Sequence, residues 1–291
     1  MDGGEGKNFE ITRETGRFVV GSLLWRLVVI GLGCYFLVML LSCAIQRSMI
    51  YYPRRESRDV LITTAKAEGM EPWIARDGSE IGWASREGSG SIAVVVFHGN
   101  AGNALDRVFL ADRIRRTNPD TRVYILEYPG YGAREGQPSQ ASLIKAGVEA
   151  IESLSEAVDV ILVGESLGTG VACQVACRLR KRVAGMILLT PFDSLVSVAR
   201  DFYPWLPVEL LMTERYDSKE ALRGVEVPVV FVVAGRDEIT SAKLGERLYE
   251  VYGGRKKLVF LANSGHNEVD GYLSDAQWRE MLDFSMSGFG E

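Results

Sequence analysis

Histidine is nearly missing from this chain. Its 291 residues hold two, His98 and His266, far apart in sequence. That excludes a zinc centre built on several imidazoles. Cysteine is scarce as well. Cys34, Cys43, Cys173 and Cys177 form no short-spaced metal pattern, which excludes a zinc finger and a disulfide scaffold. There is no basic excess, with 33 Lys and Arg against 38 Asp and Glu for a formal net charge of −5. With a pI near 5.4, the basic footprint of a nucleic-acid binder is lacking. No internal repeat, low-complexity tract or linker interrupts residues 55–291. No metal, cofactor or nucleic-acid partner is therefore expected. What is present is an apolar fraction of 47%, enough for a folded core. Cys173 and Cys177 lie four apart on a predicted helix and share one face. They are expected to be small core residues rather than a disulfide or metal pair.

The N-terminal region carries a long uncharged run, Leu27–Ile45. At about 1.5 Å per helical residue it nearly spans the ~30 Å hydrocarbon layer of a bilayer. Arg26 sits at its edge, where a long cationic side chain can snorkel to the interface. Tyr51, Tyr52, Arg47, Arg54, Arg55 and Arg58 follow it and have the composition of an interfacial anchor. No face of the run is polar, unlike a helix at the surface of a core. The run is long, and it begins late, for a cleaved signal peptide. Leu40-Leu41-Ser42-Cys43 resembles a lipobox, so a lipoprotein anchored at Cys43 is the alternative. The expected organisation is a tail over 1–26, a single transmembrane or signal-anchor segment over 27–45, and one catalytic domain over 55–291. Basic residues flank the segment on both sides, so orientation is not readable.

Beyond the anchor, Met70–Arg76 and Glu80–Ser85 around Asp77-Gly78 predict a β-hairpin. Short β-branched runs follow: Ile92–Phe97, Val123–Leu126, Val158–Val163, Val183–Leu189, Val227–Val233 and Leu258–Leu261. Continuous apolar runs of this kind suit strands buried on both faces. Helical segments alternate with them: Ala104–Arg116, Ala141–Ser155, Leu167–Arg180 and Ser241–Val251, with Leu273–Met286 last. The pattern predicts an α/β fold with a mostly parallel central sheet and helices on both faces. Asp193–Asp217 is too long for a simple crossover and is broken by Pro204 and Pro207. Its Phe202, Tyr203, Trp205, Leu206, Leu210 and Leu211 suggest a small cap over a pocket.

The chemistry begins at Gly164-Glu165-Ser166-Leu167-Gly168, which follows a predicted strand and opens a predicted helix. A G-x-S-x-G pattern alone is a weak signal, but this is the strand–turn–helix context that a nucleophile elbow requires. The glycines allow a tight turn that projects the serine Oγ above the sheet. A nucleophilic serine needs a base and an acid that orients it. Asp237 follows the strand Val227–Val233, at a C-terminal strand end where ligands bind in open α/β sheets. Glu238 is the neighbouring alternative. His266 follows Leu258–Leu261 and is the one histidine downstream of the serine. Two backbone N–H groups should face the developing oxyanion. Leu167 is expected to give one. Asn100, or else Ala101, in the loop His98-Gly99-Asn100-Ala101-Gly102-Asn103 should give the other. His98 is expected to brace that loop, which lacks both G-x-G-x-x-G and G-x-x-x-x-G-K-[ST] phosphate patterns.

Together these residues resemble the α/β-hydrolase superfamily, from about Tyr51 to the C-terminus. FHGNAGN, EYPGYG, GESLG, AGRD and SGHNE are similar to the small branch of membrane-anchored α/β-hydrolase-domain proteins. That branch also carries an apolar anchor and a Q-x-x-x-I-Y-x-P-like junction, here Gln46 to Pro53. The resemblance implies hydrolysis of acyl esters or thioesters, with Ser166, Asp237 and His266 as catalytic triad. The expected partners are a membrane and an acyl ester or lipid-like substrate. A serine peptidase or a non-catalytic scaffold on the same fold is the alternative. Two departures stand out: Thr240 where the branch often has Pro, and Glu268 where it often has Asp. Neither is expected to touch the reacting groups.

Overall fold

The computed structural model describes residues 5–88 and 92–287, and side chains from residue 22 onward. The chain divides into two compact units, Met1–Gln46 and Arg47–Glu291.

The first unit is helical. Helix α1 runs Glu5–Ile50, so the stretch expected as a tail is already helical from Glu5; positions 1–4 lie outside the described residues. The cause is legible in retrospect: the first proline of the chain is Pro53, and nothing earlier removes a helical N–H donor. Within α1, Ser22–Ile50 is long and apolar enough to cross a membrane. It exceeds the expected Leu27–Ile45 at both ends. Leu24, Trp25, Ile30, Leu32, Phe36 and Leu41 are all exposed, an apolar surface on all sides of that stretch.

The second unit begins with the last turn of α1 and a two-residue strand β1, Tyr52–Pro53. Helix α2, Arg58–Ala67, follows. It has no counterpart among the predicted elements. Its Val60, Ile62, Thr63 and Thr64 lower helix propensity, yet Leu61 and Ala65, one turn apart, are buried and hold it in place. The hairpin is β2, Met70–Ile74, and β3, Glu80–Ser85. Then come β4, Ile92–Phe97, the short β5, Ala101–Gly102, helix α3, Val108–Thr117, and β6, Arg122–Leu126. Helix α4, Gln140–Ser153, precedes β7, Asp159–Glu165, and α5, Leu167–Arg178. Strand β8, Val183–Leu189, leads into the insertion, which holds α6, Leu195–Phe202, and α7, Val208–Leu211. The chain closes with α8, Ser218–Ala221, β9, Val229–Ala234, α9, Ala242–Val251, β10, Lys256–Leu261, and α10, Asp275–Met286.

Eight strands form one sheet in the order β10-β9-β8-β7-β4-β6-β3-β2. The β10-to-β6 part is parallel, while β3 and β2 add antiparallel at one edge. Side-chain alternation explains why β4 reads as a continuous apolar run. Ala93, Val95 and Phe97 enter the core shared with α4, α5 and α9. Val94 and Val96 enter the core shared with α2, α3 and α10. From β4 the chain goes outward to β6 and then returns past β4 to β7. Adjacent strands β4 and β7, with Phe97 opposite Gly164, therefore lead away in opposite directions. Such a switch point opens a crevice at the C-terminal strand ends. Asn100 follows one of these ends and Ser166 the other.

Candidate active site

Ser166 stands between β7 and α5 with φ 51° and ψ −118°. A non-glycine residue in this region is strained and is held by its surroundings. Its N–H donates to the Leu189 carbonyl of the neighbouring strand at 2.9 Å. The flanking glycines are packing requirements. A Cβ on Gly164 would lie 2.7 Å from the Gly168 carbonyl oxygen, and one on Gly168 would lie 2.0 Å from that of Phe97. Glu165, between them, is gripped by Arg107 through paired bonds of 2.7 and 2.9 Å.

Three distant segments converge here. His266 Nε2 is 2.9 Å from Ser166 Oγ. His266 Nδ1 is 2.7 Å from Asp237 Oδ2. A carboxylate can only accept, so Nδ1 carries the imidazole proton and Nε2 offers its lone pair to the serine hydroxyl. Ser166 and Asp237 are both buried, each 8% exposed. Asp237 Oδ1 accepts the N–H groups of Ile239 and Thr240 at 2.8 and 2.7 Å. Glu238, the alternative acid, points to solvent.

Leu167 is the first residue of α5, so its N–H is one of the donors that a helix start leaves without an intrahelical acceptor. Asn100 is fixed through its other groups. Its carbonyl accepts Tyr52 N–H at 2.9 Å and Tyr131 O–H at 2.7 Å. Its side-chain amide donates to the Ile50 carbonyl at 2.9 Å. His98 is fully buried, its Nδ1 2.8 Å from the Gly99 carbonyl and its ring against Tyr128 and Tyr131. These contacts brace the loop. Both Cys173 and Cys177 are free thiols. Burial pushes the Cys173 thiol up to about 12, which leaves it protonated and unreactive at neutral pH.

A family model described as alpha/beta hydrolase fold matches residues 92–229. The uncharacterized protein Rv2307c of Mycobacterium tuberculosis is 33% identical over 254 residues, 82% of this chain and 85% of that one. This chain belongs to the α/β-hydrolase superfamily. An uncharacterized membrane protein of Saccharomyces cerevisiae, YNL320W, is similar to it at 28% identity over 212 residues, 69% of this chain and 73% of the yeast protein. The Pyrococcus furiosus esterase Pf2001 shares the fold with a TM-score of 0.56, at 16% identity over 82% of this chain and 97% of the esterase.

Within this α/β-hydrolase, Thr240 corrects the sequence-based expectation that it would stay away from the reacting groups. Its hydroxyl lies 2.9 Å from Asp237 Oδ2 and 3.3 Å from His266 Nδ1. A proline there would offer neither the hydroxyl nor the N–H. An Asp side chain commonly accepts backbone N–H groups a few residues on, as Asp237 does from Ile239 and Thr240, and that spacing is the signal the sequence offers for Thr240. Glu268, the other departure, accepts the Gly265 N–H beside His266.

Proposed function

We propose that this α/β-hydrolase is a membrane-anchored serine hydrolase that cleaves acyl esters or thioesters through an acyl-enzyme. The unbroken sequence of contacts from Ser166 Oγ through His266 to Asp237, 2.9 and 2.7 Å, carries the reading. In this mechanism His266 Nε2 takes the Ser166 proton as Oγ attacks the substrate carbonyl. Asp237 holds the ring in the Nδ1–H tautomer and stabilises the imidazolium as it forms. The Leu167 and Asn100 N–H groups receive the oxyanion. His266 then protonates the leaving alcohol or thiol. It next takes a proton from water as the water attacks the acyl carbon, and returns that proton to Ser166 Oγ as the acyl–Oγ bond breaks and the acid leaves.

The esterase fold of Pf2001 agrees with this chemistry. The apolar surface of α1 and the yeast relative's description as a membrane protein support anchorage. The insertion supports an acyl substrate. Asp201 of α6 bonds Ser241 and Lys243, which ties the apolar insertion to the segment that follows Asp237. An apolar rim favours acyl chains over charged substrates.

The deciding experiment labels the full-length protein with a fluorophosphonate and maps the adduct. It then measures turnover on p-nitrophenyl esters, acyl-CoA thioesters and aminoacyl-nitroanilides. An adduct on Ser166 and ester or thioester turnover are expected. A chain that takes no label and turns over none of these would overturn the reading.

A further inference from the structure

The junction made of the last turn of α1 and the residues after it grips two segments, the loop that carries Asn100 and the insertion after β8. On one side it holds the loop that carries Asn100. The Ile50 carbonyl accepts the Asn100 side-chain amide at 2.9 Å, and Tyr52 N–H donates to the Asn100 carbonyl at 2.9 Å. Tyr52 and Pro53 pair in parallel with Ala101 and Gly102, and Arg54 N–H donates to the Gly102 carbonyl at 2.8 Å. On the other side it holds the cap insertion. Glu214 is nearly fully buried and accepts Arg47 Nε–H at 3.0 Å, the Tyr51 hydroxyl and the Gln140 N–H. The Tyr51 hydroxyl also meets that of Tyr216 at 2.9 Å.

These are strong constraints for a connecting segment. A buried carboxylate must keep its partners, because an unpaired one is costly in a low-dielectric interior. Burial, with Glu214 close by, holds the Tyr51 phenol far above its ordinary range, so that phenol stays a donor. Asn100 is held in turn at its side chain and at its carbonyl, which lies on the peptide joining it to Ala101; two of the three bonds come from the Ile50 carbonyl and the Tyr52 N–H, and the third from the Tyr131 hydroxyl. The Asn100 N–H lies on the preceding peptide and pivots at the same Cα, so letting Asn100 move by a few tens of degrees would aim it elsewhere.

We infer that Ile50 and Tyr52, at the C-terminal end of the apolar helix, are positioning residues for the Asn100 oxyanion donor. The end of the membrane helix is then part of the catalytic framework rather than a tether. Efficient turnover requires the junction to stay seated between the Asn100 loop and the cap. The inference rests on the serine-hydrolase reading and adds to it a coupling between the 47–54 junction and the oxyanion hole.

The test uses full-length protein in detergent micelles with a short soluble p-nitrophenyl ester. Asn100→Ala removes the side-chain bond to Ile50 and keeps the backbone N–H. Tyr52→Pro removes the other bond from the junction side. Rates are divided by the number of sites titrated with a fluorophosphonate. Each variant is expected to lose about tenfold in kcat with KM within about twofold, a fraction of the effect of deleting an oxyanion donor. Affinity for a boronic acid, which mimics the tetrahedral state, should fall in parallel. The acid limb of the pH profile should stay in place, because Ser166, His266 and Asp237 are untouched. The double variant should lose less than the product of the two, since both act on one residue, Asn100.

Unchanged kcat per titrated site in both variants overturns the inference. So does a loss seen only as fewer titratable sites, which would assign the junction to folding alone. Ser166→Ala is run alongside. If it keeps full turnover, the fault lies with the hydrolase reading and not with the junction.

Discussion

Thr240 and Asp237 meet twice: the Thr240 N–H donates to Oδ1 at 2.7 Å, and the Thr240 hydroxyl lies 2.9 Å from Oδ2. Oδ2 is also the oxygen facing His266 Nδ1 at 2.7 Å. Thr240 thus shares the atom that orients the imidazole. The hydroxyl has one proton, and the Thr190 carbonyl at 3.2 Å is its longer alternative. Thr240→Val keeps shape and backbone N–H but removes the hydroxyl. A hydrogen bond to a charged group contributes about 1.5–3 kcal/mol, so kcat is expected to fall roughly 10-fold or more. Thr240→Ser should recover most of it. Equal kcat for wild type and Thr240→Val, per site titrated, would make the contact incidental.

The elbow gives a stability test. Gly168→Ala places a methyl group 2.0 Å from the Phe97 carbonyl oxygen. That oxygen belongs to the backbone at the end of β4, so the clash moves either the strand end or the start of α5. Overpacking of this kind costs about 1–3 kcal/mol. Thermal unfolding should show a lower Tm, with a larger loss of turnover than the remaining folded fraction explains. An unchanged Tm would mean that the turn relaxes freely.

Much of this architecture was readable in advance because its signals are local. The apolar run of β4 is buried on both faces, and Gly164-Glu165-Ser166-Leu167-Gly168 is one continuous turn. Asp237 and His266 were readable through chain order, each one loop beyond a strand. What escaped the sequence is not local. Glu214 looks like an ordinary surface acid in TERYD until the fold brings Arg47, Tyr51 and Gln140 onto it from far along the chain. Asn100 shows a loop motif but not that Ile50 and Tyr52 hold it. Helix α2 forms against its own β-branched propensity because Leu61 and Ala65 find a core. Thr240 stands out in the sequence, but its contacts depend on the turn conformation after Asp237.

The proposed triad can be ranked by substitution. Ser166→Ala should abolish fluorophosphonate labelling and lower kcat by about a thousandfold or more, leaving what binding and the oxyanion donors supply. Asp237→Asn should keep the fold and lose up to about 10⁴-fold, because the wrong imidazole tautomer is favoured. Glu238→Gln, at a solvent-exposed position, should be nearly silent. If Glu238→Gln is the damaging change, the acid has been assigned one residue too early.

The pH dependence has a definite sign. His266 must be neutral at Nε2 to accept the Ser166 proton, so protonation in acid should remove activity, and kcat/KM should fall on the acid side of its profile. A reactive thiol would behave differently. Cys173, pushed up to about 12 by burial, should resist iodoacetamide in the native protein at neutral pH, with no loss of turnover. Inactivation that tracks alkylation of Cys173 would point to a cysteine nucleophile instead.

The cap and the helix make a joint claim about substrate. Leu210 is 85% exposed, and Phe202 and Trp205 are more than half exposed, an unusual display for a water-facing surface. Asp201 ties this insertion to the segment after Asp237 through Ser241 and Lys243, and the proposed acyl specificity requires these side chains to cover a chain leaving Ser166. Six more methylenes at about 0.8 kcal/mol each, half buried, correspond to roughly 50-fold in kcat/KM for an octanoyl over an acetyl ester. Trp205→Ser with Leu210→Ser should erase most of that preference and leave acetate turnover intact. The same full-length protein should stay with membranes through carbonate extraction, since Ser22–Ile50 is long and apolar enough to span the bilayer. Equal rates on acetate and octanoate would remove the acyl-pocket argument, and release by carbonate would remove the anchor, each independently of Ser166.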